Sequence, residues 1–215
     1  MTQARYPFKN LESMTRVTRL LLAAAWCAAF VSTLVMFSIS DLLDNSNRLP
    51  SWAAGAASFA ESGRGAILLA VLCATLYGAC TIAVLRWVYL ANANVRALGA
   101  EGLRFAPGWA VGWYFVPLAN LWKPYQAMKE IWQASATKND WDEVKIPALL
   151  PWWWAFWLLS TSTTFSYDTD DPAERFVVFA FLLILFALWF GATFTLREIV
   201  SRIWAAQKRR HEAQL

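Results

Sequence analysis

The chain has 215 residues and a formal net charge of +4; it is 58% hydrophobic, only 16% charged, and contains 14 Trp. A soluble domain carries about 25% charged residues, so this composition excludes an ordinary soluble domain, and the length fits one compact unit. The positive balance reads as a marker of membrane orientation rather than of nucleic-acid binding.

In chain order, Met1–Thr18 opens the sequence with a basic, polar stretch. Its length, the long apolar run after it and the lack of a small-residue cleavage site argue against a cleaved signal peptide. Tyr6–Arg19 is expected along the inner surface. Leu20–Ile39 is the first of four apolar stretches of about 20 residues, each long enough to cross a hydrocarbon core of about 30 Å. Ser40–Arg64 follows as an external loop, with Pro50 placed to start a short surface helix over Trp52 and Ala53.

Ala66–Leu85 is the second span. Good helix formers continue from Arg86 to Leu98, and Gly99 stands where a helix would stop. The Phe105–Ser135 segment is different. Pro107 to Pro117 is apolar and aromatic but only about 11 residues long, too short to cross. Beyond it, Leu118, Leu121, Trp122, Tyr125, Met128 and Trp132 trace one face of a helix. An interfacial or re-entrant amphipathic element over about residues 107–135 is therefore predicted between spans two and three. A full crossing at Pro107–Trp122 would invert the charge rule for two loops.

The third span, Pro147–Phe165, opens on Trp152, Trp153, Trp154 and Trp157, an expected aromatic belt. Its outer end holds the hydroxyls of Ser160 to Thr164, which suit helix–helix hydrogen bonds or, more sharply, a polar transport path. The acidic turn with Asp168, Asp170, Asp171 and Glu174 leads to the fourth span, Phe176–Leu196. A mixed helix continues through Trp204 into a basic tail over residues 201–215. A Gly-Ala pair near the inner end of spans two and four (Gly78-Ala79, Gly191-Ala192) hints at two related hairpins.

Of the 19 Lys and Arg, only Arg48, Arg64 and Arg175 fall in the two loops assigned outside. Both termini and the long middle segment are therefore expected in the cytoplasm. The fold expected is all-α: a polytopic four-span membrane domain over residues 20–200, with a cytoplasmic segment at residues 1–19.

The stretch from Arg86 to Ser135 carries a resemblance. Arg86-Trp87-Val88-Tyr89, Asn92, Asn94, Ala97-Leu98-Gly99, the Trp109-Ala110-Val111-Gly112-Trp113 block and the Pro117-Leu118-Ala119-Asn120-Leu121-Trp122-Lys123-Pro124-Tyr125 block together resemble the bacterial family called domain of unknown function 4328. The likeness extends over roughly Leu20 to Arg209. It implies a multi-pass protein of the bacterial cytoplasmic membrane and no established activity.

No Gly-x-Ser-x-Gly, His-Glu-x-x-His or P-loop pattern occurs, so no enzyme, catalytic residue or cofactor is expected. His211 is the only histidine, and Cys27, Cys73 and Cys80 all fall in spans, where free Cys packs as a small hydrophobe; no metal site is expected. Asp168 and Asp170 read as a solvated acidic loop. The polar groups nearest the inner boundary are Arg86, Asn92, Asn94, Asn120, Lys123, Gln126, Glu130 and Glu198. The plain reading is that they satisfy helix ends, with Arg86 and Glu198 as an ion pair. The sharper reading is a ligand site for a lipid headgroup or small amphiphile, built from Trp109, Trp113, Pro117, Asn120, Trp122 and Lys123 with Asn92 and Asn94. The function expected is a non-enzymatic membrane module that binds membrane lipids, a protein partner or a second copy of itself at the cytoplasmic face; the alternative is a small transporter or channel. Binding of nucleic acid is not expected, because the basic tail suits anionic lipid.

Overall fold

The computed structural model describes residues 6–44, 64–161 and 172–215, and among these every regular element is helical. In order they are α1 (Glu12–Asp44), α2 (Arg64–Ala97), α3 (Pro107–Gly112), α4 (Lys123–Ala136), α5 (Leu149–Thr161) and α6 (Pro172–Glu212), with short 3-10 turns at Trp113–Phe115, Ala119–Leu121 and Trp141–Glu143. The surface helix expected near Pro50 and the Asp168–Asp171 part of the acidic turn lie outside the described residues.

Among the described residues three helices are long and apolar enough to cross a bilayer, over Glu12–Val31, Ile67–Ala97 and Phe176–Glu212, the mark of a membrane protein. The described part of α5 has 13 residues, about 20 Å of helix; the remainder of the expected third span, toward Phe165, lies outside the described residues. By contrast α2 and α6 run for 34 and 41 residues, about 51 and 61 Å. Both therefore exceed the hydrocarbon thickness by several turns, as the residue pattern after Arg86 and Leu196 predicts. The tail is no separate segment: α6 continues unbroken to Glu212, with Ile203, Trp204 and Gln207 buried.

The chain divides into two compact units, Leu21–Ile82 and the remainder. In the Leu21–Ile82 unit, Leu22, Ala25 and Cys80 are buried while Ile67, Leu68, Val71 and Leu72 are exposed. Trp26 stacks on Phe30 at 5.7 Å between centroids. Gly78 has nothing near the place a Cβ would take.

The other unit, Met1–Leu20 with Ala83–Leu215, holds the larger core: Leu11, Trp87, Val88, Val95, Leu98, Met128, Ile131, Leu150, Ile199, Val200 and Ile203 are all almost fully buried. Here α5 packs along α6. A Cβ on Gly191 would lie 2.9 Å from the Phe156 ring, so only glycine permits that approach. The two Gly-Ala pairs thus sit in unlike surroundings, and the likeness of the two hairpins does not extend to packing.

Where α2 ends, the sequence signal and the geometry agree. Gly99 takes φ +82°, its N–H donates to the Arg96 carbonyl, and the Ala100 N–H reaches back to Val95 at 3.0 Å. This is the Schellman arrangement, with its usual apolar contact supplied by Val95 and Ala100, which pack with Ala134.

A buried polar junction ties four segments of this unit together. Asn94 bonds the Lys9 backbone twice, accepting from its N–H at 2.9 Å and donating to its carbonyl at 2.8 Å. Asn94 also donates to Gln207 Oε1, and Gln207 Nε2 donates to the Ala91 carbonyl and to Ser135 Oγ. Trp87 Nε1 donates to Thr15 Oγ1 at 2.9 Å. Three residues beyond Gln207, Arg210 donates to the carbonyls of Ala134, Thr137 and Leu98. One guanidinium therefore satisfies orphan carbonyls at the C-terminal ends of both α2 and α4, where positive charge is favourable. Phe8 stacks on His211 at 3.9 Å, so the only histidine is used in packing.

The stripe read from Leu118 to Trp132 is corrected by α4. Leu118, Leu121 and Trp122 precede its first turn, and its buried face keeps Met128 from the stripe but otherwise includes Pro124, Ala127, Ile131, Ala134 and Ser135. Pro124 near its start fixes where the helix can begin. The Trp cluster is split in the same way: Trp152 is exposed, while Trp153 and Trp154 are core.

Candidate functional site

Between α2 and α3 the chain bends at Arg104–Phe105, and two helices hold this passage by its backbone. From α4, the buried Glu130 carboxylate accepts the Arg104 N–H at 2.8 Å and the Phe105 N–H at 3.1 Å. From α2, Arg96 Nη2 donates to the Phe105 carbonyl at 2.9 Å, and Arg96 Nε donates to Asn92 Oδ1 at 3.3 Å. Trp141 Nε1 donates to the Glu101 carbonyl at 2.8 Å. All of these fix the passage without using the Arg104 side chain.

Pro107 then starts α3, with no N–H to satisfy. One turn brings Trp109 and Trp113 onto one face, their rings 4.9 Å apart. Lys123, the first residue of α4, places its Nζ 5.6 Å from the Trp113 centroid and 5.7 Å from that of Phe105. Both distances are within cation–π range. The result is a cavity of about 330 Å³ lined by Arg104, Phe105, Ala106, Trp109, Trp113, Lys123 and Gln126. Beside it lies a second of about 410 Å³, which shares Arg104, Phe105 and Gln126 and adds Lys129, Glu130, Gln133, Trp141 and Asp142.

The electrostatic balance of the cavity is positive. Among the described ion pairs none engages Arg104, Lys123 or Lys129; Glu12 pairs with Arg16 and Glu198 with Arg202. The pair expected between Arg86 and Glu198 is thus replaced by one along α6, because Arg202 lies one turn below Glu198 with its Nε at 2.6 Å. Burial is the largest influence on the Glu130 carboxyl and raises its pKa above the usual 4.5; the two backbone N–H bonds and the charges of Arg96 and Arg104 pull the other way and are outweighed.

Of the residues singled out from the sequence, Trp109, Trp113 and Lys123 come together on the cavity. Asn92 stands behind it, orienting Arg96, and its Nδ2 is buried with no partner. Asn94 belongs to the polar junction. Pro117, Asn120 and Trp122 lie on the turn that joins α3 to α4, outside the cavity lining. That turn is unusual. Leu118 has φ +63° and the Ala119 N–H bonds to the Pro117 carbonyl at 2.7 Å, a γ-turn of the rare, strained kind. It leaves Phe115 and Leu118 about 70% and 74% exposed, with Leu121 and Trp122 half exposed alongside. Trp154 of α5 anchors the turn by donating to the Leu121 carbonyl at 2.9 Å. The Asn120 Oδ1 is buried without a partner.

The sequence reading missed Arg104 and Phe105, and it noted Gln126 and Glu130 only as boundary polar groups. A Glu on α4 two turns after Lys123 carries no signal that it will reach back to a loop 25 residues earlier. Among the described residues no group of three or more His, Cys, Asp or Glu could hold a metal ion.

Neither a curated protein nor a solved structure matches the chain. One family model does, over residues 48–167, more than half the chain, and that stretch contains α2 to α5 and both cavities: the protein belongs to the family described as Domain of unknown function (DUF4328).

Proposed function

We propose that this chain is a non-enzymatic, four-span module of the bacterial cytoplasmic membrane that binds a lipid at its inner face, through the cavity between α3 and α4. Both termini and the Arg86–Lys145 segment lie in the cytoplasm, with α5 and the residues after it forming the third crossing. The α3–α4 turn rests in the headgroup layer. The observation that carries this reading is the join of two features. An exposed apolar rim of Phe115, Leu118, Leu121 and Trp122 adjoins a cavity that combines two Trp rings with two cations. Apolar side chains of this kind favour the acyl boundary, and basic groups favour the phosphates just above it.

The test is extraction in mild detergent, followed by quantification of lipid retained per chain and of solute flux after reconstitution. Retained phospholipid that falls on Trp113→Ala, with no flux above protein-free liposomes, is the expected result. A flux abolished by Trp113→Ala would make the protein a transporter instead.

A further inference from the structure

Resting on the lipid-binding reading, we propose that the two adjoining cavities form one site for an anionic phospholipid with a hydroxylated headgroup. Its phosphodiester sits between Arg104 and Lys123, and its polyol extends over Gln126 toward Lys129 and Asp142.

Four observations converge on this class. First, Arg104 and Lys123 face the same cavity and neither has a carboxylate within ion-pair distance among the described residues. A phosphate oxygen accepts from such donors more strongly than any neutral group does. Second, the nearest carboxylate is already engaged. Glu130 turns both oxygens to the N–H groups of Arg104 and Phe105, so it fixes the Arg104 backbone instead of pairing with its side chain. Arg96 holds the next peptide by the Phe105 carbonyl at 2.9 Å. The cation is thus presented on a clamped passage and not on a loose loop, which lowers the cost of ordering it on binding.

Third, the aromatic faces disfavour a choline or ethanolamine cation. Trp113 and Phe105 would suit one, but Lys123 already stands over both rings at 5.6 and 5.7 Å and would repel it. Fourth, the second cavity changes character. Gln126, Lys129 and Asp142 line it beside Glu130 and Gln133, which are bonded to backbone, and this mixture of donors and acceptors suits hydroxyl groups better than a second phosphate. The exposed Trp109 rim leaves the apolar side open for acyl chains.

The experiment uses the full chain in detergent and native mass spectrometry of lipid adducts. The probes are dioctanoyl phosphatidylglycerol, phosphatidic acid and phosphatidylcholine, with glycerol 3-phosphate as the soluble counterpart. Phosphatidylglycerol should occupy one site per chain with a preference on the order of tenfold over phosphatidylcholine, and Arg104→Ala or Lys123→Ala should each weaken it about fivefold. Phosphatidic acid, which has no polyol, should bind less well, and Asp142→Asn should bring phosphatidylglycerol down to its level. Lys123→Arg keeps the charge and should keep binding, and the comparison of headgroups on the unmodified chain does not depend on any variant folding.

Equal occupancy by phosphatidylglycerol and phosphatidylcholine, still lost on Trp113→Ala, would overturn this inference and spare the lipid-binding reading. No phospholipid adduct sensitive to Trp113→Ala would end both. Glycerol 3-phosphate binding as tightly as the lipid would assign the site to a soluble phosphate ester and overturn the lipid.

Discussion

Glu130 shows how one side chain can set the geometry of a site through the backbone it holds. Its carboxylate takes two backbone N–H groups at 2.8 and 3.1 Å in a place where it is 4% exposed. Burial favours its protonated form and raises its pKa above 4.5. The folded state therefore binds the proton more tightly than the unfolded chain. The resulting stability is fully present below about 4.5 and is lost as the pH rises through the folded value. Thermal unfolding of the wild type and Glu130→Gln in detergent should show a gap that narrows with rising pH across this window. A gap that widens would mean that the two N–H bonds outweigh burial. Glu130→Ala should cost more at every pH, about 1–3 kcal/mol, because two buried donors lose their acceptor.

Some residues were legible in the sequence and others were not, for physical reasons. Trp109, Trp113 and Lys123 meet because α3 has only six residues and α4 starts at Lys123, just ahead of Pro124, so local spacing decides their placement. Asn94 and Gln207 carry no such local signal; they meet across 113 residues at 3.2 Å. Arg104 projects into the cavity only because Arg96 and Glu130 grip its backbone neighbours from different helices. Side-chain bonds to distant backbone leave no periodic trace in a sequence.

At the scale of elements, the long helices follow from hydropathy and from the stop at Gly99, whereas the α3–α4 region departs from the pattern. The stripe of Leu118, Leu121 and Trp122 assumes an unbroken helix. The γ-turn at Leu118 breaks it, and the rotation brings Ala127, Ile131 and Ala134 to the core. Packing between elements also separates residues that look alike. Gly191→Ala should destabilise the chain by about 1–3 kcal/mol, since its Cβ would meet Phe156 at 2.9 Å and overpacking has that cost. Gly78→Ala, in open space, should be neutral or gain up to about 1 kcal/mol from helix propensity. A denaturation series that adds Phe156→Ala to Gly191→Ala should recover part of the loss. If the two Gly variants behave alike, the close approach of α5 and α6 is not what glycine serves.

For the whole molecule, the three long apolar helices among the described residues mark a membrane protein, and the proposed orientation rests on the charge distribution. Lys138→Cys should resist an impermeant thiol reagent in intact cells, and Asp170→Cys should react. The reverse pattern would place the Arg104–Lys123 cavity on the outer face and remove it from the anionic inner leaflet. The polar junction and Arg210 join four segments of the unit made of Met1–Leu20 and Ala83–Leu215.

The unbroken course of α6 has a consequence for anyone who wants to dissect this protein. After Gly191 it contains neither proline nor glycine as far as Glu212, and its last turns supply Gln207 and Arg210 to the ends of α2 and α4. No hinge or spacer offers a clean cut, so the bilayer-depth portion and the water-side portion cannot be expressed as separate pieces: any scissor point either severs a hydrogen-bonded ladder or strands the bonds that close the junction.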